Sequence, residues 1–365
     1  MRSFRLELMV SLGLLAACGP GRGTEGDTEG SCDSPPPELM HEYVCFPVPE
    51  GLSDCEACDE ECTRDNLNTW SIGDPLCHYQ ELVVLCGPDP MPEMPGQCCY
   101  DFAHNDAIVC IGRPFVVAGE PRVAPRTPRD DWIGEVRPAL VGLSEGSRAT
   151  LAELWTAAAA EEHASVASFA RFALQLLAVG APAALVEGAQ RAMADEIAHA
   201  RICYALASAY RGWPMGPGRL DMSDALGAAD LAEMAAAAVR EGCVGETVAS
   251  LLAEAAAGQA RDPAVRAALR QIAADEARHA QLAWRFVQWA LGRSPAVHEA
   301  VREAFSAALA RPVAARPWPP EVEVAALRAH GQLAPDEQAA LCREVLAGVV
   351  APTADALLAR QARAA

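Results

Sequence analysis

Lysine is absent from this chain, and basic residues of any kind are few. The sequence has 29 basic residues, all of them arginine, against 49 acidic residues, and its formal net charge is −20. A protein that binds nucleic acid irrespective of sequence needs basic surfaces that neutralise phosphates. The charge balance therefore argues against nucleic acid as a partner.

Aromatic residues are also scarce, at 5% of the chain, although 51% of the residues are hydrophobic. Alanine and leucine therefore supply much of the apolar content. Alanine-rich helices pack closely and leave room for a site between them. With 365 residues, the chain is long enough for two or three structural units.

The N-terminus lacks a long hydrophobic run and indicates a targeting segment. Arg2 and Arg5 precede a short apolar stretch at residues 8–15, which is too short for a membrane span. The Leu-Ala-Ala-Cys sequence that ends at Cys18 resembles a bacterial lipobox. The resemblance implies that residues 1–17 are a lipoprotein signal peptide and that Cys18 is lipidated. A plain secretory signal with a chance cysteine is the alternative, and in both cases the mature protein leaves the cytosol.

A lipid on Cys18 would anchor the protein to the periplasmic side of an envelope membrane. Gly19 follows Cys18, with no aspartate at that position, which favours the outer membrane by resemblance to the sorting signal of enteric bacteria. Residues 18–37 are rich in Gly, Glu, Ser and Pro. This composition predicts a flexible tether between the lipid and the first folded unit.

Cysteine is concentrated in the segment that follows, and residues 38–112 are predicted to be a small disulfide-rich module. An even number of cysteines in an exported protein favours a framework of up to five disulfide bridges. The sequence does not determine their pairing, although the adjacent Cys98 and Cys99 are expected to have different partners. Zinc or redox chemistry at Cys55, Cys58 and Cys62 is the alternative. The ten cysteines are Cys32, Cys45, Cys55, Cys58, Cys62, Cys77, Cys86, Cys98, Cys99 and Cys110.

The rest of the chain predicts an all-α main domain. Repeated prolines in residues 113–146 indicate an extended linker. Residues 147–292 are predicted to form four long helices, and residues 293–365 are predicted to add shorter helices that pack on them. In this interpretation Ser223 caps the third long helix, and Asp262 caps the fourth with a proline at its first position. The long helices are predicted at about 148–179, 183–210, 223–260 and 263–291.

Two copies of one six-residue pattern carry the most specific chemistry. The sequence reads DEIAHA at residues 195–200 and DEARHA at residues 275–280. Glutamate and histidine three positions apart lie on one face of a helix, so both side chains can reach one metal ion. The candidate ligands from these motifs are Glu196, His199, Glu276 and His279.

One further glutamate on each of the first and third helices completes the candidate metal site. Glu162 and Glu241 both fall on apolar helical stripes, where a carboxylate is costly unless something compensates it. With the two motif glutamates they would balance the charge of two ferrous ions. Glu246 lies to the side of its stripe and is kept as an alternative or additional ligand.

Other residues around the motifs have supporting roles in this interpretation. A metal-bound histidine usually donates its second N–H to a carboxylate. Asp195 and Asp275 are placed to accept such a bond, each from the histidine of the other motif. Tyr204 and Trp284 correspond across the two copies and are predicted to flank the site, either as core residues or as a redox-active pair.

The order of these motifs resembles the ferritin-like di-iron carboxylate superfamily, which includes bacterioferritin, rubrerythrin and the quinone and tRNA hydroxylases. The resemblance covers about residues 150–291 and implies a ferritin-like four-helix bundle. It implies two iron ions as cofactors, with manganese possible. The spacing of Glu241 and Glu246 is similar to the third helix of the tRNA hydroxylase branch.

The superfamily resemblance implies an envelope di-iron oxidoreductase that reacts with oxygen, peroxide or ferrous iron. The alternative is a non-enzymatic surface lipoprotein whose disulfide module binds a partner and whose helices are a metal-stabilised or metal-free scaffold. Neither the substrate nor the electron donor can be read from the sequence, and a dimer is possible.

Overall fold

The protein is described by a computed structural model over residues 40–47, 63, 78–79, 82–89, 97–104, 108–109, 113–117, 120–227, 229–310 and 323–362. The chain divides into two compact units, Met1–Val109 and Cys110–Ala365. The predicted signal peptide and tether lie outside the described residues. So do Cys18, Cys32, Cys55, Cys58, Cys62, Cys77 and Cys110.

The N-terminal unit contains two antiparallel sheets. Its strands are β1 (Met40–Pro47), β2 (His78–Tyr79), β3 (Leu82–Asp89), β4 (Gln97–His104) and β5 (Ile108–Val109). Strand β4 lies between β1 and β3, and β2 pairs with β5. Tyr100 and Phe102 are buried on β4.

Two cysteines of the predicted disulfide framework lie on the central strand of the three-stranded sheet. Cys98 and Cys99 are buried on β4, and both are disulfide-bonded. Successive side chains of a strand point to opposite faces, which is compatible with different partners for the two residues. Cys45 and Cys86 lie on β1 and β3. The complete set of five bridges stays a prediction.

An extended segment leads into the helical unit and packs within that unit. It contains the short strands β6 (Val116–Val117), β7 (Glu120–Pro121) and β8 (Arg126–Thr127). Strand β8 pairs with β9 (Gly216–Pro217), which lies between two helices. Prolines prevent a helix here, as predicted, but the linker interpretation is incomplete because apolar residues such as Phe115 are buried.

Seven helices dominate the described part of the second unit, so the all-α class predicted for it is confirmed. The four long helices are α1 (Glu145–Ala178), α2 (Ala183–Arg211), α3 (segments Leu231–Ala237, Ala238–Glu246 and Thr247–Gln259) and α4 (Pro263–Leu291). The shorter ones are α5 (Pro295–Ala310), α6 (Val324–Ala329) and α7 (segments Pro335–Val345, Leu346–Val350 and Ala351–Ala362). No helix of the described residues is long and apolar enough to cross a membrane.

Local capping explains where the long helices begin. The side chain of Asp262 accepts hydrogen bonds from the backbone N–H groups of Ala264 and Val265, with Pro263 at the first helical position, as predicted for α4. The prediction of Ser223 as the cap of α3 is wrong. Asp230 caps that helix by accepting two backbone hydrogen bonds.

The long helices pack as two hairpins that also touch each other. Helix α1 packs against α2, α3 packs against α4, and α2 packs against α4. The C-terminal helices α5 and α7 pack against α3, in agreement with the prediction that they would cover the long helices. The glutamate and histidine side chains of the two motifs are buried between the long helices.

Helix α3 departs from α-helical geometry over nine residues. Its central segment, Ala238–Glu246, is a π-helix, in which each hydrogen bond spans five residues and not four. Insertions of this kind occur frequently at functional sites. The segment contains both glutamates that the sequence offered as ligands from this helix.

Candidate metal centre

Two overlapping groups of side chains lie between the four long helices, and each could hold a metal ion. One group is Glu162, Glu196, His199 and Glu276, and the other is Glu196, Glu246, Glu276 and His279. Within each group the potential ligand atoms all lie within 4.8 Å of one another. Glu196 and Glu276 belong to both groups, so the two motif glutamates lie between the two positions.

Burial makes these side chains costly without a bound cation. Glu246, Glu276 and His199 are each 0% exposed. Both carboxylate oxygens of Glu246 and of Glu276 lack a hydrogen-bond partner in the described protein, as does one oxygen of Glu196. Buried charged groups are normally paired or coordinate a metal. The unpartnered oxygens therefore fit a cationic ligand.

The two histidines present the same nitrogen to the glutamates. Nδ1 of His199 lies 3.4 Å from Oε2 of Glu162 and 3.5 Å from Oε1 of Glu276. Nδ1 of His279 lies 3.0 Å from Oε1 of Glu196 and 3.7 Å from Oε2 of Glu246. Neither Nδ1 atom has a hydrogen-bond partner of proper geometry within the described residues. A metal ion in each group would take up the Nδ1 atom of that group's histidine.

The outward nitrogen of each histidine is bonded to an aspartate of the opposite motif. Nε2 of His199 lies 3.0 Å from Oδ2 of Asp275, and Nε2 of His279 lies 3.3 Å from Oδ2 of Asp195. An N–H donated to a carboxylate fixes the tautomer that leaves Nδ1 free as a ligand. The crossed pairing is the arrangement predicted from the sequence.

Arg278 joins the two aspartates at the surface. Its Nη2 lies 3.1 Å from Oδ2 of Asp195 and also contacts Oδ1 of Asp275. The Arg278 side chain is 56% exposed, whereas that of Asp275 is 10% exposed. Hydrogen bonds to His279 and His199 hold the pKa of Asp195 and Asp275 below the ordinary value despite partial burial, and Arg278 contributes to both shifts. Both carboxylates are therefore kept charged as acceptors.

The third helix places Glu246, and not Glu241, among the candidate ligands. The preference for Glu241 came from a period of 3.6 residues, which holds for an α-helix. Glu241 and Glu246 lie in the π segment, where more residues make one turn, so the buried face no longer follows that period. Glu241 instead pairs with Arg113, with Oε2 3.1 Å from Nε.

Ionisation of the metal-free cluster follows from burial and from the histidines. Burial raises the pKa of Glu162 and of Glu246 well above the ordinary value. Burial opposes the charged form of His279, but the hydrogen bond to Asp195 and the close carboxylates of three glutamates raise its pKa strongly. A metal ion would have to displace the protons that these groups share.

Tyr204 and Trp284, the aromatic residues predicted to flank the site, both make packing contacts within the helical unit. Tyr204 is buried in an apolar cluster together with Trp155 and Tyr210. Trp284 donates a hydrogen bond to Oγ1 of Thr247 and stacks on Phe305 with ring centroids 5.4 Å apart. These contacts describe packing, and a redox role for the pair stays a prediction.

Three residues near the cluster were not anticipated from the sequence. Phe169 packs edge-on against the ring of His279, with centroids 5.1 Å apart. Arg113 lies over Phe169, and Arg278 bridges the aspartates. Phe169 carried a signal because it falls on the same apolar stripe as Glu162, and Arg278 because it is the charged difference between two otherwise similar motifs. Cys203 and Cys243 are buried free thiols.

No family model, curated protein or solved structure matches this chain. A functional assignment therefore depends on the residues of the chain itself.

Proposed function

We propose that the helical unit is a ferritin-like four-helix bundle that holds two metal ions. Iron is the proposed metal, with manganese as the alternative. The observation that carries the proposal is the pair of overlapping ligand groups that share Glu196 and Glu276. Each group also has one histidine and one glutamate of its own. This is the ligand pattern of the di-iron and di-manganese carboxylate bundles.

Charge supports two divalent ions. The carboxylates of Glu162, Glu196, Glu246 and Glu276 carry four negative charges when ionised, and two divalent cations would neutralise them. The histidines then act as neutral donors, each oriented by an aspartate. Carboxylate and imidazole ligands together suit iron and manganese, whereas a thiolate-rich site would favour zinc.

We propose that the protein is an oxidoreductase that acts on oxygen, peroxide or ferrous iron. Two bound ferrous ions would supply two electrons, which with two protons reduce oxygen to hydrogen peroxide, or peroxide to water. The chain contributes the buried ligands and the tautomers fixed by Asp195 and Asp275. Phe169, packed against His279, helps to keep water from that side of the site.

An anaerobic iron titration tests this function. The full-length protein would be titrated with ferrous iron, and oxygen or peroxide would then be added while ultraviolet absorption and oxidant consumption are followed. We expect about two iron ions per chain and a new oxo-iron absorption after oxidation. The double variant His199→Ala, His279→Ala is the control and should give neither.

The same titration distinguishes the di-metal function from the competing non-enzymatic one. A parent protein that retains less than one iron, manganese or zinc per chain after reconstitution would contradict the di-metal proposal. It would favour a non-enzymatic surface protein whose helices are a scaffold.

We also propose that the protein is a lipoprotein of the cell envelope, held through Cys18 on the periplasmic side of the outer membrane. A bacterial lipoprotein carries several acyl chains, which anchor firmly where a single chain binds marginally. Cys18→Ser should release the protein into the soluble fraction or leave the signal peptide uncleaved. Membrane fractionation of the variant at the parent's size and level would contradict the anchor.

A further inference from the structure

Arg113 is a buried cation next to the candidate metal centre that the proposed function does not use. The residue is 3% exposed, and its Nε lies 3.1 Å from Oε2 of Glu241. Its guanidinium carbon lies 4.8 Å from the ring centroid of Phe169 and 4.4 Å from that of Phe172. The hydroxyl of Ser165 donates a 2.7 Å hydrogen bond to the backbone carbonyl of Arg113. Backbone and side chain are therefore both fixed against α1.

The partner of Arg113 lies one helical turn from a candidate ligand. Glu241 and Glu246 are five residues apart within the π segment, and π-helical hydrogen bonds join residues five apart. The two residues are therefore about one turn apart along α3. Phe169, which lies against Arg113, also packs on the ring of His279. Arg113, the partner of Glu241, and His279, a candidate ligand, therefore contact the same aromatic ring.

Glu241 is largely removed from water, with 12% of its side chain exposed, and a carboxylate in such a place is stabilised by a cation partner or by a proton. Arg113 gives Glu241 that partner, and the two rings beneath the guanidinium hold it in place through cation–π contact. Arg171 also interacts with the charge of Glu241. Without Arg113, Glu241 would have Arg171 and any metal ions bound by Glu246 and His279 as sources of positive charge.

We propose that Arg113 determines which residues bind the metal ions, because it keeps Glu241 away from them. This proposal rests on the proposed di-metal function. Arg113 is a positioning residue in this role, since it acts through Glu241 and touches no candidate ligand through a hydrogen bond or ion pair among the described residues. In the parent protein, four glutamates and two histidines bind the metals. When Arg113 is replaced by a neutral residue, Glu241 joins them.

Cobalt(II) loading of four full-length proteins tests the proposal, because the visible absorption of Co(II) responds to its coordination number and geometry. The proteins are the parent, Arg113→Met, Glu241→Gln and the double variant. We expect the parent, Glu241→Gln and the double variant to give the same spectrum. Arg113→Met alone should give a different one, with a lower molar absorptivity because an added ligand raises the coordination number. Arg113→Lys, which keeps the charge beside Glu241, should give the parent spectrum.

Several outcomes would overturn the proposal. If the parent binds two Co(II) ions and Arg113→Met has the same spectrum, Arg113 has no influence on the ligands. If the double variant keeps the altered spectrum of Arg113→Met, Arg113 acts through packing and not through Glu241. A parent that binds no Co(II) would contradict the proposed function itself, and this proposal with it.

Folding of the variants is checked by circular dichroism in the presence of Co(II). Arg113→Gln replaces Arg113→Met if the methionine variant lacks the parent's helical signal, and the same spectra are then expected. If neither folds while the double variant does, the released Glu241 is not accepted by the metals, and the proposal is wrong.

Discussion

Nε2 of His199 lies 3.0 Å from Oδ2 of Asp275, so a residue of α2 is oriented by a residue of α4. His279 and Asp195 repeat the relationship in the opposite direction at 3.3 Å. Each aspartate lies four residues before the histidine of its own helix, where it could also have served that histidine. The crossed choice joins the two hairpins at the level of the candidate ligands. The hydrogen bonds that connect the two hairpins therefore also orient the candidate ligands.

The crossed hydrogen bond predicts the effect of Asp275→Asn. The amide retains the shape but loses the charge that favours an N–H donor on Nε2 of His199. Loss of such a supporting partner typically costs about 10–100-fold in metal affinity. Competition of the full-length protein against a chromogenic chelator would measure the change. Asp195→Asn should give a loss of the same order through His279. Asp131→Asn is the matched control, because Asp131 pairs with Arg129 at the surface, and it should leave the affinity unchanged.

The sharing of ligands predicts that the glutamates are not equivalent. Glu276→Gln removes an oxygen donor from both groups, whereas Glu162→Gln removes one from a single group. We expect Glu276→Gln to retain well under one metal ion per chain and Glu162→Gln to retain about one, given a two-metal site. Elemental analysis after buffer exchange would give both ratios.

Glu161→Gln provides the control for burial. Glu161 is adjacent to Glu162 and is also buried, but it belongs to neither ligand group of the described residues. The variant should therefore bind as much metal as the parent. Equal losses in all three variants would mean that buried charge in general, and not the shared ligands, determines metal retention.

The two motifs could be located from sequence because their geometry is local. A Glu-x-x-His pair presents both side chains on one face of any α-helix, and α2 and α4 are regular at that point. Helix positions were predictable for the same reason, with the start of α3 as the main error. The N-terminal strands were not predicted, since their pairing depends on residues far apart in the chain.

The carboxylate ligand of α3 could not be identified from the sequence, because the helical period that predicts it does not hold in that part of the helix. A 3.6-residue period assumes an α-helix throughout, and the π segment of α3 breaks that assumption where Glu241 and Glu246 lie. The role of Arg113 was equally hidden. Its pairing with Glu241 spans 128 residues of sequence and leaves no periodic trace in either segment.

Close packing of the π segment on α4 predicts a large effect of Gly242→Ala. A Cβ atom at Gly242 would lie 2.3 Å from Cβ of Ala283, a contact that requires α3 or α4 to move. Overpacking of this kind costs about 1–3 kcal/mol. Urea unfolding would measure the loss.

Gly258→Ala is the matched control for this substitution. Gly258 lies in the regular part of the same helix, and a Cβ there would meet nothing within 4 Å. The substitution should stabilise the protein by about 0.4–1 kcal/mol, because alanine reduces the entropy of the unfolded chain. Similar changes in the two variants would contradict the role assigned to the contact between Gly242 and Ala283.

The contact between His330 and Tyr210 predicts how stability depends on pH. His330 follows α6, is buried, and has Nδ1 2.8 Å from the hydroxyl of Tyr210. Burial lowers the pKa of His330 below its ordinary value of 6.5, although nearby Asp262 opposes this shift. The folded state therefore binds fewer protons than the unfolded state as the pH falls below about 6.5. The stability contributed by neutral His330 is complete above that pH and is lost progressively below it.

Two variants separate this titration from the hydrogen bond itself. His330→Gln should show a shallower decrease in unfolding free energy than the parent between about pH 6.5 and pH 5, since the titrating group is gone. Tyr210→Phe should lose about 1 kcal/mol above pH 6.5 because the bond to Nδ1 is lost, and its stability should still decrease at lower pH because His330 remains. All three proteins would be compared without metal by urea unfolding, so that the motif histidines contribute equally. A parent and a His330→Gln variant with identical slopes would show that burial does not perturb His330.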